Sequence, residues 1–342
     1  MLNTDSTLFE LLDTQSANLF DEQGFAVHCP MVLTALARMG ASDQQLRNYY
    51  AHWQTENPAL AKVSHSKHSN ADGEIRIDNW QQYLQQVNSF SPLQNFFQSW
   101  IKNSSADSVM LQVLSQIPIA PASVAFHGLI RLAYGLDANH HGEVAAALAA
   151  LVTRNFAIQL NYPADRQPAT SVAQGMMHLS HSMLDFETPE RNITARIRAV
   201  IADPRFAQNL PPIPANAFED MAMNAIILFH QTRHFTVLHM VTVLHAARII
   251  FAHLPDELFH QFLSPLWTAY CAAYVSAGAP RINTITHVGN ILPWDTLLTA
   301  ACTSTQDHQI KMIYTCHQEY LRSDSLEAKQ LYLDSANAFF AS

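Results

Sequence analysis

Eighteen histidines punctuate this chain of 342 residues, many of them inside apolar stretches. Histidine titrates near neutrality and is the commonest metal ligand. His28 opens the stretch HCPMVLTALARM, where the positive end of a helix disfavours the imidazolium and keeps the ring neutral and available as a ligand. His127 lies in SVAFHGLIRLAYGLD with Arg131 at i+4 and Tyr134 at i+7, so an imidazole, a guanidinium and a phenol share one face of an apolar helix. Buried polar groups need partners. Either Arg131 and Tyr134 orient the oxygens of a substrate, or they satisfy acidic partners inside a bundle. His239 and His245 share the stretch FTVLHMVTVLHAARI. Their spacing sets them roughly 120° apart around a helix and ~9 Å apart along it, so one lines a pocket while the other supports it. His308 and Lys311 are i, i+3 in TSTQDHQIKMIYTC and share a face. A desolvated lysine loses its proton more easily and then acts as a base, or adds to CO2 to give a carboxylate-like carbamate. A lysine facing solvent near a helix start does neither.

Other histidine pairs carry less. His230 and His234 in HQTRH have the spacing of the zinc-peptidase helix, but Gln231 stands where that chemistry needs a glutamate base. His178 and His181 are i, i+3 with no third ligand implied.

The elements that position these groups read as helices almost throughout, with alternating strand patterns nearly missing. The expected spans are Ser6–Leu19, His28–Met39, Asp43–Trp53, Ala122–Asp137, Gly142–Leu160, Ser171–Phe186, Pro189–Ala202, Ala217–Gln231, Phe235–Leu254, Asp256–Ser276, Pro293–Cys302, Thr305–Ser323 and Ser325–Phe340, with short helices near Trp80–Val87 and Pro92–Ile101. Lys62–Asp78, with its Asp72–Gly73 turn, reads as a long surface loop, and a second loop carries Gly278, Pro280 and Gly289. Gln208–Pro214 is the one candidate hinge and is short. The architecture expected is all-α, a single multi-helix, bundle-like domain over residues 1–342.

Composition narrows the functions. With 49% hydrophobic and 14% charged residues the chain has ample material for a core. A net charge of −9 with no long basic run argues against a nucleic-acid surface. Phe235–Leu254 is long enough to span a bilayer, yet His239, His245, Arg248 and His253 within it point to a buried core helix and no membrane. The N-terminus has acids where a secretory signal is apolar, and Cys29, Cys271, Cys302 and Cys316 form no framework. A cytoplasmic protein with free buried thiols is expected. None of the nine glycines forms a GxGxxG turn or a phosphate loop, so no local signature for NAD(P), flavin or ATP is present.

The segments HCPMVLTALARMGAS, FHGLIRLAYGLDA, TVLHMVTVLHAARII and DHQIKMIYTCHQEYLR, each centred on a histidine, resemble the signature stretches of the questin oxidase-like family, in family order from residue 28 to 322. The resemblance implies an oxygen-using oxidoreductase acting on polycyclic aromatic polyketides, with Baeyer–Villiger-type ring oxidation in fungal members and a link to non-haem iron. It carries over to His28, His127, His239, His245, His308 and Lys311. The chain departs from the family pattern at Leu244, where a small residue would precede His245–Ala246–Ala247–Arg248. Under this reading His28, His127, His239 and His308 come from four helices and meet inside the bundle, with His245 as the substitute and Lys311 adding an oxygen ligand if carbamylated. Such a set suits Fe(II), alongside Mn, Co, Ni or Zn. The partners expected are O2 and a small apolar or aromatic molecule whose oxygens Arg131 and Tyr134 orient. Two alternatives stand beside this: a metal-free, NADPH-dependent oxidase using the same histidines as acid and base groups, and a helical ligand-binding protein without chemistry.

Overall fold

The computed structural model describes residues 2–15, 18, 26–58, 60, 74–283 and 291–340. In chain order it forms α1 (Leu2–Gln15), α2 (Cys29–Arg38), α3 (Asp43–Glu56), two short 3-10 turns (Trp80–Tyr83 and Val87–Ser89), α4 (Phe90–Lys102), α5 (Ala106–Gln116), α6 (His127–Asp137) and α7 (His141–Thr153). There follow α8 (Val172–Ser182), α9 (Ile193–Ala202), α10 (Pro204–Asn209), α11 (Ala217–Thr232), α12 (Phe235–Phe251), α13 (Asp256–Ser276), α14 (Trp294–Ala301), α15 (Asp307–Arg322) and α16 (Leu326–Phe340). No strand forms among the described residues, and the fold is all-α.

Local chemistry sets several of these boundaries. Pro30 sits in the first turn of α2, where its missing N–H costs nothing. That helix ends at Gly40, whose φ of +90° lets Ala41 N–H donate back to the Leu36 carbonyl. Ser42 then starts α3 through a reciprocal capping box with Gln45. Helices α7 and α12 are apolar nearly all round and buried nearly all round, the property of central rather than surface helices. Among the described residues no helix is long and apolar enough to cross a membrane.

The centre of the molecule is a ring of four helices. α2 packs on α6 and α15, and α12 packs on the same two. α7 backs α6, approaching so closely at Gly135 that an added Cβ would stand 2.9 Å from the Val144 backbone nitrogen. The candidate hinge is pinned rather than loose: Arg166 donates to the Leu210 carbonyl and the Trp267 indole to the Pro211 carbonyl. All four cysteines are free and buried.

Three expectations need correction. The helix expected from Ala122 begins at His127, because Val124, Ala125 and Phe126 take left-handed φ values of 53°, 52° and 73°. Helices at Ala106–Gln116, capped by Ser105, and at Pro204–Asn209, capped by Asp203, stand where none is expected. The span expected to run on to Leu160 stops at Thr153. The Asp72–Gly73 turn and Gly289 lie outside the described residues.

Candidate functional site

The four helices of the central ring begin near one another, and each brings a histidine to that end. His28 is the N-cap of α2, His127 is the first residue of α6, His308 is the second of α15, and His239 is the fifth of α12. The ring centroids of His28 and His127 are 4.9 Å apart, His28 and His308 4.6 Å, His127 and His239 5.0 Å, and His239 and His308 5.6 Å. Four imidazoles separated by up to 280 positions in the chain thus form a closed cluster.

Their nitrogens are ordered. His127 Nδ1 lies 2.9 Å from the Val124 carbonyl and His239 Nδ1 2.9 Å from the Phe235 carbonyl, so both Nδ1 atoms must donate. His28 Nδ1 stands 3.4 Å from an Asp307 carboxylate oxygen, which again favours a proton on Nδ1. This assignment turns the Nε2 lone pairs inward, as outer partners do for metal-bound histidines. Yet His28 Nε2 and His127 Nε2 are only 2.9 Å apart. Two lone pairs at that separation repel unless a proton or a cation lies between them. A neutral ring carrying its proton on Nε2 makes this contact an N–H···N hydrogen bond, whereas a second proton, which would give an imidazolium, is disfavoured. Burial, then the charges of Lys311 and His239, hold His28 well below the ordinary imidazole range, and burial, then His28, His239 and Lys311, do the same to His127. Burial and Lys311 push His239 down to about 3, and His308 is driven lower still by burial, Lys311 and the neighbouring rings. The helix N-termini act in the same direction. His308 Nε2 is buried with no hydrogen-bond partner.

Neutral imidazole nitrogens are the donor type that a borderline divalent transition-metal ion takes. As the side chains stand, no group of three or more His, Cys, Asp or Glu among the described residues could hold an ion. His239 and His308 would have to turn their rings to join the first pair.

Lys311 lies one turn beyond His308 and is only 2% exposed. Burial lowers its pKa to about 8 against the pull of Asp307, so near neutrality the ammonium gives up its proton far more readily than a surface lysine. Asp307 itself accepts a 2.7 Å hydrogen bond from the Tyr49 hydroxyl. Neither Tyr49 nor Asp307 stands out in the sequence. Asp307 precedes His308, but only the fold brings α3 and the start of α2 to it.

Other candidate residues lie elsewhere. His245 donates from Nδ1 to Glu319 at 2.8 Å, and Glu319 is also held by Arg248 and Arg322. Burial raises the Glu319 carboxyl, but the His245 hydrogen bond and the surrounding cations outweigh it and bring it to about 2. Arg131 does not line the cavity described below. Its guanidinium grips Glu143 through two hydrogen bonds of 2.7 and 3.0 Å and donates to the Asn18 carbonyl at 2.6 Å. Tyr134 is buried against Tyr314, and burial raises its pKa, so the phenol stays neutral. His234 caps α12, His230 meets Ser335, and His178 and His181 line a separate cavity of about 460 Å³.

The four imidazoles sit at the wall of a cavity of about 1030 Å³. Trp53, Val27, Ile193 and Phe235 supply apolar and aromatic surface, and Tyr49, Arg154 and Arg191 supply polar groups. Phe235 is half exposed, with its ring 4.6 Å from His239 and 4.9 Å from His308. Just ahead of His127 in the chain, Val124 and Ala125 also form part of the wall in their left-handed conformation. Each such residue without glycine's freedom costs about 1–2 kcal/mol, and strain of this kind concentrates at functional sites. Here it aims the Val124 carbonyl at His127 Nδ1.

A sequence model described as questin oxidase-like matches residues 25–316, which include all four clustered histidines and Lys311. No curated protein matches the chain.

Proposed function

The chain belongs to the questin oxidase-like family, a membership that points to an oxidoreductase, and on that premise we propose that it is an oxygen-dependent mono- or dioxygenase. Its substrate is an aromatic polyketide-like or other apolar carbonyl compound, and its cofactor is a non-haem iron held by His28, His127, His239 and His308. The observation that carries this reading is the pair of Nε2 atoms 2.9 Å apart inside a cluster of four buried imidazoles, with the outer nitrogen of His127 bound to the Val124 carbonyl and that of His28 3.4 Å from Asp307. Neutral imidazoles in that arrangement are ready-made donors. A redox-active ion supplies the route by which O2 reacts with a closed-shell organic molecule.

The remaining work falls to the chain. Asp307, steadied by Tyr49, keeps the His28 ring in place. The apolar wall formed by Trp53, Val27, Ile193 and Phe235 removes water from an aromatic ligand and orients its face. Lys311, with its pKa near 8, takes or gives a proton at Nζ. As the free amine it can also add to CO2, losing a proton and gaining a carbamate oxygen beside the histidines. His245 supports from behind through Glu319 and is not a ligand in this reading. Arg131 ties α6 to α7 through Glu143, and Tyr134 packs against Tyr314.

The test is metal content by mass spectrometry on protein purified without a nickel column, with O2 uptake recorded on a panel of quinones and phenols. About one transition-metal ion per chain, lost in His127→Ala, is the expected result. Absence of bound metal together with undiminished O2 uptake in His127→Ala would overturn the metal centre. Saturable NADPH binding by metal-depleted protein would then move the chemistry to a metal-free oxidase.

A further inference from the structure

The cavity beside the histidines is not uniformly apolar, and its charges are unevenly committed. Arg154 caps the C-terminus of α7 and Arg191 lies just ahead of α9, and both line the same chamber. Two acids also line it. Asp307 is engaged by the Tyr49 hydroxyl and His28, while Glu56 is an exposed residue of α3. No salt bridge engages Arg191 among the described residues, and burial lowers the pKa of Arg154, a sign that its charge is partly stripped of water. A desolvated guanidinium gains more from an anion than one in bulk solvent. The chain as a whole carries a net charge of −9, whereas in this chamber the two arginines match the two acids in number. The same chamber offers Trp53 and Phe235 as aromatic faces.

We propose that the cavity recognises an aromatic organic anion, a carboxylate or ionised phenol, whose negative oxygen is bound by Arg154 and Arg191 while its ring system lies on Trp53 and Phe235 beside the histidines. This rests on the proposed oxidoreductase reading for what happens next, but the recognition step stands apart from it. Arg154 and Arg191 are specificity residues: they set which end of the molecule points away from the imidazoles.

The probes are anthracene-2-carboxylate and its neutral twin, anthracene-2-carboxamide, bound to the full chain as purified and followed by ligand fluorescence. The carboxylate is expected to bind at least about tenfold tighter, with an advantage that shrinks as salt rises. Arg191→Gln, at an exposed position that the fold does not depend on, should remove most of that advantage and leave carboxamide binding within about twofold. Arg154→Gln should act in the same sense, and Arg154→Lys should retain part of the preference. Equal binding of the two probes, an equal loss of both in the arginine variants, or binding of neither would overturn the proposal. Oxygen uptake is read separately. A carboxylate preference without any oxidation upholds this site and counts against the oxidoreductase reading, whereas oxidation of neutral aromatics without a carboxylate preference does the reverse.

Discussion

Replacing Arg131 by methionine should destabilise the fold and leave the cavity's ligand preference alone. The side chains of Arg131 and Glu143 are each about 3% exposed, and they share two hydrogen bonds of 2.7 and 3.0 Å. A third bond runs from Arg131 to the Asn18 carbonyl. Methionine fills much of the same volume but strands the Glu143 carboxylate in a dry interior. Breaking one side of such a pair costs about 3–5 kcal/mol. An unfolding entropy of ~2.1 cal/mol/K per residue over 342 residues is ~0.7 kcal/mol/K, so the melting temperature should fall by ~4–7 °C. The double variant Arg131→Met/Glu143→Leu should recover most of that loss, because no charge remains to be compensated. The assay is paired thermal and urea unfolding followed by circular dichroism, with aromatic-ligand binding measured on the same preparations. Unchanged stability in Arg131→Met combined with lost ligand binding would refute the reasoning and restore Arg131 to a substrate-contacting role.

Other consequences are equally direct. Glu319 has its carboxyl depressed from the ordinary 4.5 to about 2, so its stabilising contribution is full above pH 4.5 and is lost as pH falls through about 2. Urea midpoints at pH 7 and pH 3 should show this loss, on the order of 2 kcal/mol, and Glu319→Gln should flatten that dependence. Gly135→Ala drives a methyl group to 2.9 Å from the Val144 nitrogen and should cost about 1–3 kcal/mol in urea unfolding, since backbone cannot move aside as a side chain can. Asp307→Asn removes the carboxylate that holds His28 and accepts from Tyr49, and should weaken metal affinity by about 10–100-fold in a chelator competition while leaving the melting temperature of metal-depleted protein within a few degrees.

Much of the fold is legible in one sequence, for identifiable reasons. Helix α13 lies where periodicity predicts it, Asp256–Ser276, because a long apolar stripe bounded by Pro255 and Ala277–Gly278 leaves little latitude. Helix α5 escaped because Ala106–Gln116 mixes apolar and polar residues evenly, although Ser105 is an adequate cap signal. The start of α6 is illegible for a different reason: nothing in the letters Ser-Val-Ala-Phe announces three left-handed residues in a row. At the site, the clustered histidines are readable as apolar-helix histidines, but their meeting depends on four helices that begin at one end of the bundle. Partners are the least readable part. Glu319 lies 74 positions from His245, and Tyr49 lies 258 positions from Asp307. Arg131 misleads because a buried guanidinium beside a histidine has the same appearance in sequence whether it faces a ligand or an internal glutamate.

The left-handed run at Val124–Phe126 sets durability against performance. Glycine at position 125 would adopt the observed φ of 52° without steric cost, so Ala125→Gly would relieve local strain in the folded state. The same freedom would let the Val124 carbonyl wander, and with it the imidazole that it steers. A screen for heat tolerance would therefore favour glycine at this position, and a screen for turnover would discard it.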